Sequence, residues 1–151
     1  MKIRIELEEN LEEAEIVIHC NKIDSVIQKV QQSISDVIVS NPNMTFFKEG
    51  KEYYFSLEEI LFFETNQNRV DAHTTDDIYQ VKHCLYELEK LLPSYFKRIS
   101  KSTILNIKKI YSIHSGITSA TLIQFYKTHK QVYVSRKYYK ELRKTLNERR
   151  G

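Results

Sequence analysis

The feature that most constrains this chain is a long stretch, residues 45–134, in which most apolar residues are aromatic or β-branched and stand in short runs between polar turns. Such runs are typical of strands. They predict strands over Glu52–Leu57, Ile60–Thr65, Val70–Thr74, Ile78–Lys82, Phe96–Ile99, Ile110–His114, Thr121–Phe125 and Gln131–Val134. We therefore predict a mainly β fold for this part of the chain.

Two short helices are predicted to accompany these strands. The first has a leucine stripe that Pro93 ends, at Leu85, Leu88, Leu91 and Leu92. The second, about Arg136 to Glu148, has cations on one face and, on the face that we expect to be buried, Tyr139, Leu142 and Leu146.

The first 43 residues have a different pattern. Lys2–Leu7 and Glu15–Cys20 each alternate apolar with polar residues, so the two segments are predicted to pair as a small β-hairpin. An amphipathic helix should follow, with Ser25 and Gln28 at capping-box spacing and an apolar stripe at Ile23, Val26, Ile27, Val30 and Ile34. Turn-forming residues at 40–43 then mark a boundary. We expect an N-terminal module, residues 1–43, that docks or dimerises because its core is small, and a second domain, residues 44–151.

Charge divides the chain into two unequal parts. Residues 97–151 contain 14 Lys and Arg against 2 Asp and Glu, a balance of +12, whereas the first 96 residues have a balance of −9. This asymmetry is typical of a surface that binds a polyanion, although a basic tail can also be only a solvated face.

Motifs of catalysis are not found. The sequence has no nucleophile elbow, phosphate-binding loop, zinc-protease or dinucleotide-binding pattern, and its five histidines are scattered. Cys20 and Cys84 have neither zinc-site nor disulfide-framework spacing. We therefore expect no enzyme activity, cofactor, metal or small-molecule substrate. Because no signal peptide or membrane span is recognisable, we expect a cytoplasmic protein.

The segment Phe96–Tyr111 is the most informative part of the sequence. It places Phe96, Ile99 and several further isoleucines between cations and short hydrogen-bond donors. One face of such a segment can pack while the other contacts phosphates.

This segment resembles the characteristic run of the LytTR family of bacterial DNA-binding domains, in which an aromatic residue, an Arg, a small polar stretch and an Ile/Val-Asn pair precede a strand. Ile60–Val70 is similar to the family strand that ends in a polar loop, and Val132–Tyr139 to the closing strand with Ser-Arg at the start of the last helix. The resemblance covers residues 46–146 in the family order. It implies an elongated, mainly β fold whose loops enter successive major grooves of double-stranded DNA, in a regulator of transcription.

Residue by residue, the resemblance implies contacts with bases from Asn68, Lys101 and Arg136, which suit adenine and guanine edges. Other readings remain open: Asn68 as a turn residue, Lys101 as a solvated charge and Arg136 as part of a first helical turn after Ser135. Contacts with DNA phosphates are expected from Arg69, Lys97, Arg98, Ser100, Ser102, Asn106, Lys137 and Lys140.

The partners expected besides DNA are a second copy of the chain, in a homodimer, and a membrane protein that restrains the regulator. The competing functional hypothesis is a protein-interaction or anionic-surface module without DNA specificity. A binder of single-stranded RNA is a third, because the chain has 10 Tyr and 7 Phe that could stack on bases.

Overall fold

The computed structural model describes residues 1–39, 44–115 and 120–150. Its described part is β-rich, and its elements follow the chain as α1 Ser25–Val39, β1 Phe46–Lys48, β2 Lys51–Tyr53, β3 Phe62–Asn66, β4 Arg69–His73, β5 Ile78–Val81, α2 Leu85–Leu91, β6 Phe96–Arg98, β7 Thr103–Asn106, β8 Ile110–His114, β9 Thr121–Phe125, β10 Gln131–Val134 and α3 Arg136–Arg150. The prediction of a mainly β fold with short helices, preceded by a helix, is confirmed.

The strands form two antiparallel sheets. The larger has the order β2-β1-β5-β4-β3-β7-β6, and the smaller has the order β10-β9-β8. One hydrophobic core joins them: Phe62 of the large sheet stacks on Phe125 of the small sheet, with ring centroids 5.5 Å apart. Phe62 also stacks on His73, and burial lowers the pKa of this histidine to about 4, so it is neutral at physiological pH.

Two strand predictions need correction. The run Glu52–Leu57 contributes only part of β2, and Leu57 begins a 3-10 turn that Ser56 caps: its Oγ accepts a hydrogen bond from the Glu58 N–H at 3.2 Å. Strand β7, like the three-residue strand β1, was not predicted, although all four residues of β7 are buried between β3 and β6. A central strand that is covered on both faces has no alternation to reveal it.

The predicted N-terminal hairpin is not formed. Residues 1–24 have no strand, and Ile3, Ile5 and Leu7 are 93%, 83% and 94% exposed. Alternation decides which side chains share a face, but a strand also needs a hydrogen-bonding partner and a surface to pack on, and a lone two-stranded hairpin is marginally stable in water.

Helix α1 is formed as predicted, but Asp24 caps it instead of Ser25: the Ile27 N–H donates to Asp24 Oδ1 at 2.9 Å. Its other end is attached to the β domain. Asp36 accepts hydrogen bonds from the backbone N–H of Ser94 at 3.0 Å and from its hydroxyl at 2.8 Å. The helix is therefore docked on the loop between α2 and β6. The expected domain boundary, at 40–43, lies outside the described residues.

Candidate nucleic-acid interface

Three separate loops are joined side by side by two backbone hydrogen bonds. The Thr65 N–H, at the end of β3, donates to Ser102 O at 2.9 Å, and the Ser135 N–H, just before α3, donates to Ile99 O at 2.9 Å. The β6–β7 loop thus lies between the β3–β4 turn and the start of α3. We name these three segments, residues 66–69, 99–103 and 135–137, the three-loop surface. It brings together the three predicted base-contacting residues, Asn68, Lys101 and Arg136, and all three are exposed.

The β3–β4 turn is a two-residue hairpin turn. Gln67 and Asn68 both have positive φ, 49° and 66°, as a two-residue type I′ hairpin turn requires. Asn tolerates this region better than most residues. The turn interpretation of Asn68 is therefore correct as far as its backbone is concerned, and its exposed amide remains available for a ligand.

Asp71 holds both flanks of this turn. Its carboxylate, which is buried, accepts a hydrogen bond from Asn66 Nδ2 at 3.1 Å and forms an ion pair with Arg69 Nε at 3.3 Å. Arg69 is about half exposed. Asp71 and Asn66 were not predicted as functional residues, yet a signal was present: an acidic residue at the centre of a predicted strand, between Val70 and Ala72, needs a partner there.

Arg98 holds the β6–β7 loop from within. Its Nε donates to Ser100 O at 2.7 Å, its Nη2 donates to Lys101 O, and its Nη1 lies 3.3 Å from Glu89 Oε1 on α2. The side chain is largely buried. Instead of reaching outward to a phosphate, as the sequence predicted, this guanidinium fixes the backbone that carries Lys101.

Hydroxyl groups complete the same loop. The Ser102 N–H donates to Ser100 Oγ at 3.2 Å, and the two serine hydroxyls lie 3.3 Å apart. Ser102 is exposed and Ser100 is half-buried, as is Lys97 on β6. These three predicted phosphate contacts lie on or beside the three-loop surface.

Asn106 has no access to a ligand, and its prediction as a phosphate contact is wrong. It is fully buried, its Nδ2 donates to Ile60 O at 3.0 Å, and its Oδ1 accepts from the Lys108 N–H at 2.9 Å. Both ends of the amide are thus used to join two segments of the core and to cap the 3-10 turn after β7. A buried polar group needs such partners.

Helix α3 adds a basic face to the surface. Leu142 is buried and Tyr139 and Leu146 pack partly against the core, as predicted. The exposed residues include Arg136 in the first turn and, further along, Lys137, Lys140, Arg143 and Lys144. Cations in the first turn oppose the helix dipole, and a bound anion would relieve that conflict.

Within residues 1–39, 44–115 and 120–150, no group of three or more His, Cys, Asp or Glu side chains is arranged to hold a metal ion. No helix in that part of the chain is long and apolar enough to cross a membrane.

Comparison with known proteins gives a consistent result. The family model of the LytTr DNA-binding domain matches residues 50–147. A protein of Staphylococcus aureus strain NCTC 8325, named an HTH-type transcriptional regulator, is 30% identical over 148 residues, which cover 97% of this chain and 99% of the relative. A similarly named protein of Staphylococcus aureus strain MRSA252 is 29% identical over 148 residues, which again cover 97% of this chain and 99% of the relative.

The structural comparison concerns the fold. The LytTr DNA-binding domain of a Bacillus cereus protein, described as a methyl-accepting/DNA response regulator, superposes with a TM-score of 0.64 at 23% identity and covers 70% of this chain and 98% of that domain. The relatives are named HTH-type, after two helices joined by a short turn. In the described part of this chain, strands separate every helix from the next, so that pair of helices is absent from it.

Proposed function

The chain belongs to the LytTr DNA-binding domain family, and we propose that it is a sequence-specific regulator of transcription in which loops of the β domain enter successive major grooves of double-stranded DNA. One observation supports the specific part of this proposal: two backbone hydrogen bonds join the three loops that carry the exposed side chains of Asn68, Lys101 and Arg136. This family membership points to binding, not to enzyme activity.

We assign base reading to the three exposed side chains of the surface. The amide of Asn68 can form two hydrogen bonds with an adenine, and Lys101 and Arg136 can donate to O6 and N7 of a guanine. Because the turn of Asn68 and the loop of Lys101 are fixed by Asp71 and Arg98, little conformational entropy is lost when they bind. Rigid loops also limit how each side chain can approach a base edge.

We assign phosphate contacts to the residues that surround these three: Arg69, Lys97, Ser100, Ser102, Lys137 and Lys140. Cations and hydroxyl groups fix the position of a protein on the duplex without reading its sequence. Arg98 acts as a positioning residue for Lys101, and Asn106 is excluded by its burial.

We further propose that the protein acts as a homodimer on DNA, with two half-sites about one helical turn apart. The exposed apolar residues of the first 39 residues support an interaction role for this part of the chain. We also propose a membrane protein as a partner that restrains the regulator; if it binds the same residues, it will compete with a second copy.

The first experiment is selection of bound sites from random duplexes, followed by filter binding to the selected duplex, to single-stranded RNA and to anionic vesicles at matched salt. We expect one enriched motif and a preference for the duplex. Equal retention of all three ligands would support the anionic-surface alternative and reject sequence-specific regulation.

A matched pair of variants tests the surface itself. The triple variant Asn68→Gly, Lys101→Ala and Arg136→Ala removes two cations and the amide of Asn68, and it should lose the preference for the selected motif. Gly is used at position 68 because φ is positive there. The control, Lys51→Ala with Lys127→Asn, also removes two cations, but at the end of the sheets that is far from the β3–β4 turn. Next to Lys127, the Thr128 hydroxyl donates to Thr75 O in the β4–β5 turn, which lies at the opposite end of β4. The control should keep the preference. Asn is used at position 127 because φ is positive there.

A further inference from the structure

The segment Lys2–Glu8 combines a regular alternation of exposed apolar residues with an ordered arrangement of charges. Ile3, Ile5 and Leu7 are almost fully exposed, although large apolar residues that alternate so regularly are usually buried on one face of a sheet. The other face carries two cations, Lys2 and Arg4, followed by two carboxylates, Glu6 and Glu8. Arg4 and Glu6 form an exposed ion pair at 3.0 Å, which contributes little to stability.

This order of charges is self-complementary. When two copies of the segment are laid antiparallel with Ile5 opposite Ile5, Lys2 faces Glu8 of the second copy and Arg4 faces its Glu6. On the other face, Ile3 lies opposite Leu7. Each of these pairs occurs twice because of the two-fold symmetry. Every charged residue therefore faces an opposite charge, and every apolar residue faces an apolar residue.

Other pairings lack this property. With Arg4 at the centre, Arg4 would face Arg4, and with Glu6 at the centre, Glu6 would face Glu6. A shift by one residue would place charges against apolar side chains. A parallel arrangement in register would set every charge against its own copy. Opposite charges across a strand pair stabilise it, and like charges destabilise it.

We propose that residues 2–8 are a dimerisation strand, and that its occupant is the same segment of a second copy of this chain, paired antiparallel about Ile5. The strand alternation predicted from the sequence is then satisfied between chains instead of within one. A two-stranded ribbon alone is marginal. Further exposed apolar residues in the same part of the chain are available to cover its apolar face: Ile16, Ile18, Ile23 and Val26.

The inference rests on the proposed function only for its use on DNA, where it identifies what holds the homodimer together. The pairing itself is measured on the full chain without DNA. Failure of this inference would therefore leave the DNA interface intact, and failure of DNA binding would leave the pairing intact.

Charge-set variants provide the main test. The acidic set, Lys2→Glu with Arg4→Glu, and the basic set, Glu6→Arg with Glu8→Lys, each place like charges opposite one another. Sedimentation should show a dimer for the unmodified chain and a dissociation constant raised at least about tenfold for either set alone. An equimolar mixture should restore the dimer, and native mass spectrometry should show one chain of each kind. An intrachain hairpin would not be rescued by mixing.

Cysteine crosslinking tests the register. In a background with Cys20→Ser and Cys84→Ser, Ile5→Cys should form disulfide-linked dimers on mild oxidation, because residues directly opposite have Cα atoms roughly 4.5–5.5 Å apart. Ile3→Cys is the matched control: it lies about 13 Å from its own copy and should not crosslink alone. Mixed with Leu7→Cys chains, it should crosslink to them.

Three results would overturn the proposal. They are a monomeric unmodified chain over the whole accessible concentration range, a dimer that both charge sets leave unchanged, and crosslinking of Ile3→Cys as efficient as that of Ile5→Cys. Circular dichroism and binding of each variant to a single half-site establish that the β domain is folded.

Discussion

Two segments of this chain have the same alternating pattern and different surroundings. In β10, Val132 and Val134 point into the core while Gln131 and Tyr133 are exposed, and β9 supplies the hydrogen-bonding partner. In residues 2–8 the alternation is as regular, yet the described part of the chain offers neither a partner strand nor a surface that covers the apolar side chains. The difference teaches that a period-two pattern specifies faces, whereas burial depends on what lies beside the strand.

The proposed DNA-binding surface and the proposed dimerisation segment differ in the same way. The three-loop surface is fixed within one chain by Asp71, Arg98 and two backbone hydrogen bonds. The segment Lys2–Glu8 becomes ordered, in our proposal, only with a second chain. Binding of DNA should therefore depend on fixed charges, and dimerisation should depend on the match between two copies.

The largest expected difference between DNA binding and dimerisation is in how strongly salt weakens each. If the three-loop surface and α3 neutralise ~6–10 phosphates, affinity for duplex DNA should fall by about 10³–10⁵ between 50 and 200 mM salt, because released counterions dominate binding. Dimerisation, which uses a few exposed ion pairs and apolar contacts, should weaken by less than about tenfold. Filter binding and sedimentation at both salt concentrations measure the two. A flat response of DNA binding would reject the phosphate contacts.

The next largest difference should be in the free energy of unfolding when one apolar side chain is removed from the β domain and one from residues 2–8. Phe63 is fully buried in β3, so Phe63→Ala should lower the free energy of unfolding by about 3–5 kcal/mol. Ile5→Ala should change it by less than about 0.5 kcal/mol, since the residue is exposed in the single chain. Urea unfolding, followed below the concentration at which the chain dimerises, compares them. A loss of more than about 2 kcal/mol for Ile5→Ala would mean that residues 2–8 pack within one chain.

The strands that could be predicted from the sequence have their partners and cover within one chain. The pattern located the strands with one buried face, such as β9 and β10, and the leucine stripe of α2. It missed β7, which is buried on both faces, and β1, which has only three residues. It also predicted a hairpin where no partner strand forms. A pattern records the preference of each residue for water or core, but not which segments meet.

For the candidate interface, family resemblance located the exposed ends of the loops, but not the groups that hold them. Asn68, Lys101 and Arg136 lie on one surface. By contrast, an Arg and an Asn in a polar run both look like phosphate contacts, and the structure gives Arg98 and Asn106 internal partners instead. Whether a polar side chain points outward or inward is decided by tertiary contacts, which the sequence does not display.

Arg98 tests whether the three-loop surface is fixed from within. In Arg98→Lys the charge is kept, but an ammonium cannot reproduce the fork that bonds Ser100 O and Lys101 O. We expect a loss of about 1.5–3 kcal/mol in binding to the selected duplex, together with weaker preference at the base that Lys101 reads. The control is Lys97→Arg, which should bind normally. If Arg98→Lys also binds normally, Arg98 acts only as a charge, as the sequence first indicated.

Arg136 and Lys140 are two cations one helical turn apart on α3, and we expect them to contact DNA in different ways. Arg136 belongs to the three-loop surface and should read a base. Its replacement by Ala should cost ~1–3 kcal/mol on the selected site and relax preference at one base position.

Lys140 lies beyond the surface and should contact phosphate alone. Its replacement by Ala should weaken binding to all duplexes about equally and lower the salt slope by about one unit, because one fewer counterion is released. Both residues are exposed, so both variants should stay folded, with circular dichroism as the control. The measurement is binding of each variant to the selected duplex and its single-base variants at two salt concentrations. If Arg136→Ala weakens every duplex alike, α3 contributes only charge, and base reading is confined to the two loops that Asp71 and Arg98 hold.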